Sequence, residues 1–319
     1  MNDIVLMTDH GSEEGSRPLL ERAIERLAGV SPIVLDARYF MEGGGGRVTL
    51  EGADLTLEAP GAEPVVRPSV VVIYEIPPAD RRRLASFQAA LAGSSAVSLG
   101  ADAQAWRNAT EKQHMVRQFS RDRIPQMESI ALERATLDTA IRAFESLGRD
   151  VWARPTIGWG GNDVFHLTSH EHLRGAFAYY AAAGMDWLVT RDAQNFNHQG
   201  RRHQFRVVVL GDRVLRVCEH VQAEPDRPCN ESRGAVSTLL SPEALPAEMR
   251  QLAIRATRSL GLPFGGVDLA VESGGVIFEV NVHPVIDVVQ GMETVVLPFV
   301  EAHLAIASPK WTRAASAVQ

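Results

Sequence analysis

Asp268, Glu279 and Asn281 offer three hard oxygen donors inside one short stretch, residues 265–284. That stretch reads as two short strands joined at Ser273-Gly274-Gly275, a turn whose glycines can take positive φ. Side chains two apart on a strand leave the same face, so Glu279 and Asn281 point together and Asp268 on the partner strand can meet them. Two carboxylates and an amide oxygen suit Mg²⁺, which prefers oxygen ligands and shares its remaining positions with water and nucleotide phosphates. The same pattern also fits a buried hairpin with one capping Asp and one edge Glu.

The run G-G-V-D-L followed by F-E-V-N-V-H-P resembles the metal-binding signature of the ATP-grasp ligases. It is most similar to the branch that contains ribosomal-protein glutamate ligase and glutathione synthetase. The resemblance implies that Asp268, Glu279 and Asn281 hold two Mg²⁺ ions against ATP, and that Mn²⁺ can replace them. Pro284-Val285 departs from the Pro-Gly that follows in many relatives.

Upstream segments extend the resemblance over roughly residues 108–305. On the helix from Asn108 to Phe119, Lys112 shares a face with Met115 and Phe119, and it is similar to the family's nucleotide-facing lysine. A strand ending at Arg154-Pro155 leads into Gly158-Trp159-Gly160-Gly161-Asn162-Asp163-Val164. Glycines there let backbone N–H groups approach phosphate closely, and the loop looks like the one that closes over ATP phosphates. Arg154 stands where relatives commonly carry lysine; it keeps the charge and offers a two-pronged donor, but it is bulkier. The strand Asp186–Thr190 matches the segment whose backbone binds adenine, implying Leu188 and Val189 there and Asp192 at the ribose. The hairpin 204–215 resembles D-x-R-x-x-V-x-G-x-x-V, which places Arg206 beside the transferring phosphoryl group and puts Gln204 where an Asp is common. Asn230-Glu231-Ser232-Arg233-Gly234 resembles an N-x-x-x-G element, so Asn230 and Arg233 are expected to face the reacting phosphate.

The elements that must position these groups follow from periodicity. Ile4–Met7, Ile33–Leu35, Val70–Tyr74 and Ala96–Leu99 read as four strands alternating with helices from Pro18 to about Ala28 and from Arg81 to Leu91, which favours a mainly parallel α/β layer. Glu42–Leu57, with four consecutive glycines at Gly43–Gly46, reads as a flexible connector and a short hairpin. Pro246–Leu260 is an amphipathic helix stopped by Gly261 and Pro263, and it delivers the chain into the metal hairpin. The expected organisation is an α/β preATP-grasp domain at 1–105, a small lobe with the glycine loop at 106–190, a large lobe with the metal site at 191–307, and a frayed tail at 308–319. The fold class is α/β with α+β lobes, an ATP-grasp fold.

Composition bounds the partners. The chain of 319 residues is 45% hydrophobic and 22% charged, with net charge −7, which is a globular balance without the basic field of a general nucleic-acid binder. No apolar run approaches the roughly 18–20 residues needed to span a bilayer, and the start carries no basic signal region. Cys218 and Cys229 give neither a disulfide framework nor zinc spacing. These features favour a cytoplasmic protein without nucleic-acid or membrane partners, and they are compatible with a homo-oligomer. The expected activity is ATP-dependent amide formation between a carboxylate substrate, either small molecule or peptide, and an amine. Alternatives are a peptide macrocyclase and a nucleotide-binding protein on the same fold that has lost turnover.

Overall fold

The computed structural model describes residues 3–61, 65–286 and 291–316. Its strands and helices divide between two compact units: Met1–Trp106 with Leu262–Phe264 and His283–Gln319, and Arg107–Gly261 with Gly265–Val282.

The first unit opens with β1 (Asp3–Thr8), α1 (Arg17–Ala28) and β2 (Ile33–Asp36), continues through the hairpin β3 (Arg47–Glu51) and β4 (Asp54–Glu58), and then β5 (Pro68–Ile73) and α2 (Ala85–Ala92). Its sheet has the order β2-β1-β5 and is parallel throughout. Ile4–Met7 are fully buried because β1 is the central strand and packing covers both of its faces. Helix α1 starts with Pro18 in its first turn, buries Leu19, Leu20, Ala23 and Ile24, and stops at left-handed Gly29.

Two expectations are corrected here. Ala96–Leu99 is not a fourth strand; Val97 forms a single parallel bridge to Val70 at the sheet edge. The glycine run is not a loose connector either. A Cβ on Gly44 would lie 2.4 Å from the carbonyl oxygens of Arg38 and Tyr39, so glycine is needed for backbone to pass backbone at that point.

The second unit takes in the C-terminal end of α3 (Ala103–Thr110), then α4 (Lys112–Asp122), β6 (Ser129–Leu132), α5 (Leu137–Ser146), β7 (Val151–Pro155), β8 (Phe165–Leu167), α6 (His170–Ala183) and β9 (Trp187–Arg191). These strands form an antiparallel sheet of order β6-β9-β7-β8. Phe144, Tyr180, Trp187 and Val189 share the core between that sheet and helices α5 and α6. The chain continues with β10 (Arg202–Leu210), β11 (Arg213–Gln222), β12 (Val236–Leu240), α7 (Ala247–Leu260), β13 (Phe264–Ala270) and β14 (Val276–Asn281), in a five-stranded sheet of order β12-β11-β10-β13-β14. Helix α7 buries Met249, Leu252, Ala253, Ile254 and Ala256 and packs on β10, β11 and β14, while Gly261 caps it in the left-handed conformation.

Helix α8 (Leu297–Ser316) returns to the first unit. It runs to Ser316, through most of the stretch the sequence reads as a tail; residues 317–319 lie outside the described residues. Among the described residues, no helix is long and apolar enough to cross a membrane.

Candidate functional site

The three oxygen donors meet because β13 lies between β10 and β14 in the five-stranded sheet. Antiparallel pairing sets Asp268 opposite Glu279 and Gly266 opposite Asn281, with a register irregularity immediately after Asp268. Asp268 is buried, and Glu279 and Asn281 are half-buried. All three line one cavity of the second unit. An all-oxygen donor set of this kind fits Mg²⁺.

Each carboxylate faces a cation. Arg206, reaching across from β10, holds Asp268 through both forks: Nε donates to Oδ1, and Nη2 donates to Oδ2 at 2.9 Å. Burial by itself would lower the Arg206 pKa, but the Asp268 carboxylate outweighs it and the net direction is upward. Arg206 therefore stays charged. Arg206, expected beside the transferring phosphoryl group, is here paired with the Asp268 carboxylate, because β10 and β13 place them side by side. Lys112 is 4% exposed at the start of α4, where its Nζ lies 3.6 Å from Glu279 Oε2 and 3.3 Å from the Gly158 carbonyl oxygen.

Two further arginines are under-bonded. Arg154 on β7 makes only long hydrogen bonds, 3.4 Å to the Phe278 carbonyl and 3.5 Å to Thr190 Oγ1. Its buried Nε has no partner, and neither does the buried Nε of Arg233. Burial lowers the Arg154 pKa. Buried donors without acceptors cost free energy until an acceptor arrives, so these guanidiniums are prepared for an anion.

The glycine loop passes over the same cavity. Gly158, Gly160, Gly161 and Asn162 line it, as does Asn230. Gly160 and Gly161 have φ of +64° and +69°, a conformation that L side chains adopt only with strain. Tyr179 Oη donates to Asp163 Oδ1 at 2.5 Å and Tyr180 Oη to the Asp163 carbonyl, tying the end of the loop to α6.

Three expected nucleotide residues are not among those lining the cavity. Leu188 and Val189 are interior, since β9 is paired on one side with β6 and on the other with β7; this segment reaches the cavity at Thr190, Arg191 and Ala193. Asp192 accepts from Trp152 Nε1 at 2.6 Å and from the Gln194 backbone N–H at 2.5 Å, and it pairs with Arg202 Nη2 at 2.8 Å. It builds the wall, and its lone pairs are taken. Arg233 is also not among the lining residues.

The wall itself was missed from sequence. Trp152, Arg202 and Gln204 line the cavity, and each lies two residues from Arg154 or Arg206, or four from the latter, so strand alternation was the available signal. Arg202 is 3% exposed and its guanidinium sits 5.0 Å from the Trp152 ring and 4.6 Å from that of Phe196. His166 stacks on Trp152 at 4.6 Å. His166 also gathers with Asp150 and Asp192 closely enough for a cation, their ligand atoms within 4.8 Å of one another, but Asp192 is already neutralised by Arg202. Cys229 lines the cavity as a free thiol, and burial pushes its pKa up to about 12.

Residues 171–296 match the RimK-like ATP-grasp domain family. A probable alpha-L-glutamate ligase from Citrobacter koseri is 35% identical over 92 residues, covering 28% of this chain and 30% of that protein; one from Shewanella baltica is 32% identical over 127 residues, 38% of this chain and 41% of that protein. The chain thus matches well under half the length of these relatives. In structure it resembles D-alanyl-alanine synthetase A from Vibrio cholerae, with TM-score 0.65 at 18% identity over 95% of this chain and 93% of that one. It likewise resembles the ATP-grasp ligase PsnB, solved with a phosphomimetic variant of its minimal precursor, Mg and ADP, with TM-score 0.64 at 17% identity over 96% of this chain and 98% of that one.

Proposed function

We propose that this chain, which carries a RimK-like ATP-grasp domain on an ATP-grasp fold, is an ATP-dependent carboxylate–amine ligase working through an acylphosphate. The observation that supports this best is a single cavity where three oxygen donors, Asp268, Glu279 and Asn281, stand with Lys112 and the under-bonded Arg154. The arrangement suits a metal-bound polyphosphate, and no catalytic serine or cysteine is required.

Asp268, Glu279 and Asn281 would hold Mg²⁺, two ions in this reading, which neutralises triphosphate charge and makes the γ-phosphoryl group a better electrophile. Lys112 and Arg154 bind phosphate oxygens, and the glycine loop supplies backbone N–H groups above them. The substrate carboxylate attacks the γ-phosphorus, the bond to the β-phosphate oxygen breaks, and ADP leaves an acylphosphate behind. An unprotonated amine then adds to the acyl carbon, the carbon–oxygen bond to phosphate breaks, and the proton lost from nitrogen leaves with the departing phosphate. Arg206, in the same cavity, and Arg233, bonded to Asn162 of its lining, would stabilise charge on the transferring group. In this proposal the four-stranded and five-stranded sheets are the cores of the small and large lobes.

The substrate is an amino acid, another small acid or a peptide, and the location is cytoplasmic. A turnover-deficient nucleotide binder is the competing reading, suggested by Arg154 at a lysine position; the complete oxygen-donor set argues against it. The test is to incubate the protein with Mg·ATP and pools of acids, amines and peptides, and to separate the nucleotides by chromatography. ADP and free phosphate that depend on both substrates support the ligase. AMP with pyrophosphate, or no turnover with any pool, would overturn it.

A further inference from the structure

The middle of the glycine loop is held by the connection between β11 and β12. Ser232 Oγ donates to the Gly160 carbonyl oxygen at 2.6 Å, and Arg233 Nη2 donates to Asn162 Oδ1. Between them, Gly161 lies so close to Asn230 that a Cβ would sit 2.6 Å from Asn230 Oδ1 and 2.9 Å from Pro228 Cγ. The ends of the loop are fixed separately, by Lys112 at Gly158 and by Tyr179 and Tyr180 at Asp163. Residues 160–162 are thus tethered to the 228–233 segment.

We propose that Asn162 and Ser232 form a latch that makes loop closure and the placement of Arg233 a single event. Asn162 is the positioning residue. Asn162 is among the residues lining the cavity and its side-chain oxygen accepts from the Arg233 guanidinium, so an open loop leaves Arg233 without that bond. A hydrogen bond to a charged group is stronger than a neutral one, and the Ser232 bond adds a neutral contact one residue away. The two act on the same short span, so either loss loosens the closed state.

Hydrogen exchange on the nucleotide-free protein tests the latch directly. Asn162→Ala and Ser232→Ala are each expected to speed amide exchange at residues 158–163 on the order of tenfold or more, with α6 unchanged. Parental exchange rates across 158–163 in both variants would overturn the latch. The coupling to Arg233 rests on the ligase reading and is measured by ADP release. If closure and arginine placement are one event, the double variant Asn162→Ala/Arg233→Ala is no slower than Arg233→Ala alone. Multiplying losses would overturn the coupling. A protein that exchanges as expected but never releases ADP would refute the ligase reading and leave the latch standing.

Discussion

Arg206 and Asp268 lie on adjacent strands and are joined by two hydrogen bonds, with the arginine side chain 19% and the aspartate 9% exposed. Asp268, one of the three oxygen donors, is thus neutralised by an arginine that lines the same cavity. Removing one partner of such a pair leaves an uncompensated buried charge. Arg206→Ala is expected to lower stability by about 3 kcal/mol. Arg206→Lys keeps the charge but loses the fork, and it is expected to lower kcat by roughly 10²–10³. Thermal melts and ADP release on both variants separate these effects; parental values for both would remove Arg206 from structure and site alike.

Glu279→Ala and Asn281→Ala are expected to fold normally and to weaken Mg²⁺-dependent ATP binding by tenfold or more, since each deletes an oxygen ligand. Each tenfold corresponds to about 1.4 kcal/mol. Calorimetry with and without Mg²⁺ checks it, and unchanged affinity in both variants contradicts the metal assignment.

Gly161→Ala places a Cβ at φ +69° and 2.6 Å from Asn230 Oδ1. The left-handed conformation alone costs a non-glycine residue roughly 1–2 kcal/mol, so nucleotide affinity is expected to fall about tenfold or further. Gly175→Ala is the control. It sits inside α6 with open space around it, and the change is expected to stabilise the protein by roughly 0.5–1 kcal/mol. If Gly161→Ala binds ATP as the parent does, the loop does not close in the described conformation.

Burial, followed by the charge of Arg206, lowers the His220 pKa to about 4, and burial lowers that of His303 to about 4 as well. Both are bases whose folded values lie below the unfolded value of about 6.5. The unfolded chain therefore binds more protons between those values, so stability falls as pH drops from about 6.5 toward 4 and is fully present above that window. Each histidine corresponds to roughly 3 kcal/mol over the window. Melting His220→Gln at pH 7 and pH 4.5 should show a smaller acid-induced drop in Tm than the parent shows. An equal drop would mean that His220 takes up no proton on unfolding.

Local pattern determined much of this protein. Alternation and turn glycines placed β13 and β14 and brought Asp268, Glu279 and Asn281 to one face, because strand geometry has a fixed period of two. Helix α7 and its Gly261 stop were equally legible from periodicity and capping. The glycine loop was visible as composition, and Gly158, Gly160 and Gly161 line the cavity. Tertiary structure decided the rest. Which strands become neighbours is a long-range choice, and it put β13 beside β10, so that Arg206 grips Asp268. It made β9 central, so the backbone at Leu188 and Val189 is paired with β6 on one side and β7 on the other. Asp192 could be read as a ribose contact until Trp152 and Arg202, forty and ten residues away, claimed its oxygens. Ala96–Leu99 had the apolar character of a strand, but only Val97 found a partner backbone. Sequence specifies what each residue can offer; the fold decides which partner takes the offer, because hydrogen bonds and ion pairs act over a few ångströms between residues far apart in the chain.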